Sequence, residues 1–163
     1  MRSDTSGTID GQMHGVNRAA SRYTGPMADD RSAGSDATTA GIRVRVAVAF
    51  SPEHSQLEPD APLHYVHTYT VTVTNDGPRG VTLVARHWVI TDATGHEEHV
   101  RGPGVVGLQP FLAQGQSFTY SSSAGLPTPA GTMHGEYLME WEDGSRFDAA
   151  IAPFALIVPT AVQ

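Results

Sequence analysis

Residues 64–76 read HYVHTYTVTVTND, and this run constrains the fold more than any other part of the chain. Tyr65, His67, Tyr69, Val71 and Val73 fall on one face of a period-two repeat, and Val66, Thr68, Thr70, Thr72 and Thr74 on the other. Crowding by β-branched and aromatic side chains suits a pleated surface far better than a helix. The segment reads as a strand, and a strand needs neighbours to pair its backbone.

Those neighbours follow along the chain. IRVRVAVAF (42–50) sets Ile42, Val44, Val46 and Val48 against Arg43 and Arg45. After the NDGPRG turn comes VTLVARHWVITDA (81–93), where Leu83/His87/Val89 and Val84/Trp88/Ile90 are both plausible inward sets. HEEHVRG (96–102) reads as a charged edge strand, and QSFTYSSSA (116–124) as another strand. A proline-stiffened loop, LPTPAGT, leads to MHGEYLMEW, the EDGS turn and RFDAAIAPFALIV, a closing hairpin. Pro153 inside that last run predicts an edge or a bulge. No window of helical length keeps a period of 3.6. Seven or eight short strands with no alternating helices predict an all-β sandwich, with an open barrel as the alternative. The shared apolar layer is expected from Tyr69, Val71, Val73, Leu83, Trp88, Ile90, Phe118, Tyr137, Met139, Phe147, Ile151 and Phe154.

Residues 1–40 differ in character. They are rich in Gly, Ser, Thr and Asp and cannot offset their ordering entropy by burial. They read as a disordered tail ahead of a domain spanning 41–163, and Met13 and Met27 leave room for a later natural start. The 163 residues carry a formal charge of −7, which disfavours nucleic acid and anionic membrane as partners. Every basic side chain other than histidine is arginine, so lysine chemistry is excluded; the lack of cysteine excludes thiol catalysis and disulfides. With no apolar stretch of signal-peptide or membrane-spanning length, the expected location is the cytoplasm.

Gly102, Gly104 and Gly107 have the G-x-G-x-x-G spacing of a dinucleotide-binding turn. That turn works by aiming a helix N-terminus at pyrophosphate. Here Pro103 and Pro110 flank the glycines, and the next regular segment reads as strand. The glycines are therefore expected to shape a loop across the end of the sandwich.

The run from Arg86 to Tyr137 resembles the ApaG family. Arg86, His87, Trp88, Ile90, Thr91 and Asp92 carry the resemblance first, followed by Gly95, Val100, Arg101, Gly102, Gly104, Val105, Val106, Gly107, Gln109 and Pro110. It continues through Gly115, Phe118, Tyr120, Ser122, Pro127, Thr128, Pro129, Gly131, Met133, Gly135 and Tyr137, and PFALIVP fits the closing strand. It extends over roughly residues 42–159. The resemblance implies an immunoglobulin- or fibronectin type III-like β-sandwich and a link with cobalt and magnesium efflux or resistance. It also implies a protein-binding role, since similar eukaryotic domains sit beside interaction modules. The tail before Gly41 is longer than is usual for the family, and SAGLPTPAG stands where many members carry a cysteine.

The chemical constellations are weak. His96 and His99, with Glu97 and Glu98, read as a solvated charged strand rather than a metal site, because a spacing of three puts strand side chains on opposite faces. No acidic cluster suits magnesium. His87 is expected to be packed or hydrogen-bonded rather than catalytic, and Arg86 and Arg101 to pair with Asp92, Glu97 or Glu98. The serines at 121–123 lack a nucleophile-elbow context. The expectation is a non-catalytic, cofactor-free module that contacts a protein partner through Arg86, His87, Trp88, Arg101, Gly102, Gly104 and Gly107. The alternative is a protein that binds a small phosphate-type anion, pyrophosphate or a nucleotide, at the same loop.

Overall fold

A computed structural model describes residues 33–159, which form two packed antiparallel sheets. The strands are β1 (Gly34–Thr39), β2 (Ile42–Phe50), β3 (Tyr65–Asn75), β4 (Val81–Asp92), β5 (Glu97–Pro103), β6 (Phe111–Leu112), β7 (Ser117–Leu126), β8 (Ala130–Trp141) and β9 (Arg146–Ile157). One sheet runs β1-β2-β3-β7; the other runs β9-β8-β4-β5, with the short β6 also pairing β4. A single 3-10 turn, Pro52–His54, is the only helical element among the described residues.

The expected sandwich is present, and its ordered part begins earlier than the composition suggests. Gly34–Thr39, read from sequence as tail, is a strand in full register with β2. Its alternation is carried by small and polar residues, so no hydrophobic period announces it. It is held by backbone pairing, by the Asp36–Arg43 ion pair at 2.6 Å and by the Ala150 N–H donating to Thr39 Oγ1 at 3.1 Å. The remainder of the proposed tail, 1–32, lies outside the described residues.

All the expected core residues are buried except Phe147, which is partly buried and stacks on Trp141 with ring centroids 4.8 Å apart. The ambiguity of β4 has a physical cause. Ala85 pairs with Leu138 but Leu83 pairs with Met139, so Val84 is an extra residue, a β-bulge. Before the bulge Val81 and Leu83 face the core; after it Trp88 and Ile90 do. A second irregularity sets Ala152 and Pro153 opposite His134 alone, which is the bulge that Pro153 predicts.

The two sides of the sandwich differ. On one, β9 packs against β1 and β2. On the other, β5 and β7 end their sheets unpaired. A buried side chain fixes the turn between β3 and β4: Asn75 Nδ2 donates to the carbonyls of Arg79 and Leu112 at 2.7 and 3.0 Å, and its Oδ1 accepts from Gly77 N–H at 2.9 Å.

Candidate functional site

The loop from Arg101 to Pro110 runs along the bulged edge of β4, between the stretches paired by β5 and β6. The bulge interrupts the ladder there, and the loop supplies the missing partners. Val84 O accepts from Gly104 N–H and from Gln109 Nε2, both at 2.8 Å, and Leu83 N–H donates to Pro110 O at 3.0 Å. The tip is a two-residue reversal in which Val105 and Leu108 exchange both backbone bonds at 2.8 Å. Val105 plugs the core and is fully buried.

Each glycine has its own reason to be there. Gly104 has φ +59°, and a Cβ on it would lie 2.1 Å from Leu108 O. Gly107 has φ +81° and open space around it, so backbone conformation alone selects it. Gly102 lies under Arg86, whose guanidinium a Cβ would meet at 3.0 Å. The N–H groups of Gly104, Val105 and Leu108 all donate to carbonyls of the loop and bulge. They are not free to cradle a phosphate, and the segment after the loop is strand, as expected.

The tip carries an anomaly. Val106, at the first central position of the reversal, has φ +43°. A β-branched residue in the left-handed region is strained by about 1–2 kcal/mol. Two-residue reversals with both central φ values positive favour Asn-Gly. Val106 is nevertheless 48% exposed, and Leu108 and Phe111 are 46% and 51% exposed. The sequence reading missed these three as surface residues, because an apolar residue beside a glycine carries no signal of its exposure.

The bulge separates Arg86 from its neighbours. Arg86 pairs with Tyr137 and shares its inward face, whereas His87 and Arg101 face outward. Arg86 Nη1 donates to the carbonyls of Pro103 and Gly104, both at 3.0 Å. The expected pairing of Arg86 and Arg101 with Asp92, Glu97 or Glu98 does not occur. Asp92 instead accepts from Thr94 and from the His96 backbone, which lowers its pKa, and Glu97 meets His99. Among the described residues neither arginine has a carboxylate within 4.0 Å.

On the outer face a hydrogen-bonded row crosses three strands. Glu136 Oε2 lies 2.6 Å from His87 Nδ1, and His87 Nε2 lies 2.9 Å from His99 Nδ1. Since two facing imidazole nitrogens can share only one proton, His87 is hydrogen-bonded in place, as expected. The same face holds a cavity of about 410 Å³ lined by Arg86, His87, Arg101, Gly102, Glu136 and Asp148, among others. Trp88 points the other way, into the core, edge-on to Tyr69 at 5.2 Å. The Tyr120 and Tyr137 hydroxyls bond to each other beneath it, and burial pushes both pKa values up, so both stay neutral. Among the described residues no three His, Asp or Glu side chains converge as a metal site would require, and no helix is long and apolar enough to cross a membrane.

Against this geometry stand the similarities to known proteins. The ApaG domain model matches residues 54–141. The Protein ApaG of Azotobacter vinelandii is 50% identical over 122 residues, covering 75% of this chain and 94% of that protein. Its namesake from Azoarcus sp. is 49% identical over 129 residues, covering 79% and 99%. A crystal structure of the putative ApaA protein from Bordetella pertussis superposes with a TM-score of 0.68 at 44% identity, covering 73% of this chain and 94% of that one.

Proposed function

Because the chain belongs to the ApaG domain family, we propose that it is a non-catalytic β-sandwich module that binds a protein partner through the loop from Arg101 to Pro110 and the adjoining Arg86–Trp88 segment. The observation that carries this reading is Val106. A strained, β-branched residue is held half-exposed at a turn where asparagine would be relaxed. Strain of this kind persists where the side chain has a task, and the task open to an exposed valine on the same loop as the exposed Leu108 is apolar contact. In this reading the family's link with cobalt and magnesium resistance runs through a bound protein.

Affinity capture from lysate of the source cells tests it. Wild type is expected to retain a protein that Val106→Asn does not, with both forms folded. Equal retention by the variant would remove the loop from the interface. A second reading, a small phosphate-type anion, draws on Arg101, which lines the outer cavity and has no acidic partner among the described residues. Glu136 and Asp148 on the same walls oppose it.

A further inference from the structure

The open side of the sandwich holds a second cleft that the loop does not fill. Between the unpaired edges of β5 and β7 lies a cavity of about 380 Å³, toward the lower end of the roughly 300–1,000 Å³ spanned by ligand pockets. Its floor is Tyr69, Trp88, Ile90 and Met133, all buried. Ser122 and Ala124 of β7 form one wall, and Val100 and Glu98 of β5 the other. The ends differ in charge. Arg86 stands at one; Glu98 and His64 stand at the other, with the His64 ring against Gly125. Glu98 pairs with Ile90 and Gly102 with Arg86, so the ends lie four residues apart along β4, about 13 Å at strand rise.

Three features point to one kind of ligand. Among the described residues Arg86 is half-buried without a carboxylate partner, and only its Nη1 meets acceptors there. A partly desolvated guanidinium with spare donors matches a carboxylate. The floor beside it is aromatic and aliphatic, suited to one apolar side chain. The flanking strand edges offer unpaired backbone groups, which recognise an extended backbone and have no use for a small free acid.

We propose that this cleft binds the free C-terminus of an extended polypeptide, with its carboxylate on Arg86 and its last, apolar side chain over Trp88 and Tyr69. This rests on the partner-binding reading above and names the chemical feature that the partner presents. Gly102 belongs to the arrangement, because a side chain there would displace the guanidinium.

Titration calorimetry on the full chain tests it with peptides of the form acetyl-Gly-Ala-X, X being Leu, Val, Met or Phe, each as free acid and as C-terminal amide. At least one free acid is expected to bind ten-fold or more tightly than its amide. Arg86→Gln should reduce the acid to the amide's level, and Arg146→Gln, on β9 and paired there with Glu140, should leave it unchanged. The acid–amide comparison is made on wild type, so it holds even if Arg86→Gln is poorly folded. Equal binding of acid and amide, or no binding by any peptide, overturns the proposal. So does 4-methylpentanoate binding as tightly as the best peptide, which would make the cleft a small-acid site. If every peptide fails while loop-dependent capture persists, the cleft assignment falls and the partner-binding reading stands.

Discussion

Replacing Val106 by asparagine should make the protein more stable. Val106 has φ +43°, and left-handed backbone costs a β-branched residue about 1–2 kcal/mol. Asparagine tolerates this region and is favoured at the first central position of such turns. The loss on the other side is small, because Val106 is 48% exposed and little apolar area leaves the protein interior. The backbone bonds between Val105 and Leu108 do not involve the substituted side chain. The expected net gain is about 1 kcal/mol, or roughly 3–4 °C in Tm for a domain of this size. Thermal unfolding followed by circular dichroism or calorimetry at neutral pH measures it. An unchanged or lowered Tm would show that Val106 is not strained or that it packs against something, and the inference from strain to contact would lose its basis.

The other expectations concern the frame around the site. Gly104→Ala should destabilise by about 2 kcal/mol or more, because strain at positive φ adds to a clash with Leu108 O, whereas Gly107→Ala should cost about 1 kcal/mol from strain alone; equal effects in chemical denaturation would contradict the distinct roles given to them. Asn75→Ala strands the Arg79 and Leu112 carbonyls and the Gly77 N–H, and should cost about 3 kcal/mol; a loss under 1 kcal/mol in urea unfolding would mean that water replaces the side chain. Burial pushes the pKa of His67 below its ordinary 6.5, outweighing the Ile157 backbone nearby, which favours the protonated ring but lies outside good hydrogen-bond geometry, so that among the described residues neither ring nitrogen has a well-formed hydrogen bond. The unfolded chain then takes up the proton first, so this contribution to stability is complete above about pH 6.5 and is lost as the pH falls through the lowered value. Tm measured from pH 7.5 down to 5 should fall more steeply for wild type than for His67→Phe, and parallel curves would refute the assignment.

Much of the fold is legible in the sequence because a half-buried strand writes its pattern in every second residue. The Thr and Val alternation of β3, and Pro153 at its bulge, are read directly. β4 resists because Val84 shifts the register midway, so either alternation describes only half of the strand. β1 is invisible because Gly, Ser, Asp, Ala and Thr carry no apolar signal and the strand is held by pairing with β2. For the site, the proximity of Arg86, Arg101 and the glycines follows from their places in the chain. The inward turn of Arg86 depends on the bulge, and the positive φ of Val106 depends on the reversal; neither is a property of local composition. The bond between His87 and Glu136 joins residues 49 positions apart, beyond the reach of any short motif.

Titration calorimetry with pyrophosphate, ATP and NAD most directly separates a contact loop from an anion cradle. With the N–H groups of Gly104, Val105 and Leu108 already engaged and no helix following the glycines, binding no tighter than millimolar is predicted for all three. Micromolar binding of pyrophosphate that disappears in Arg101→Ala would contradict the account and make the loop an anion site.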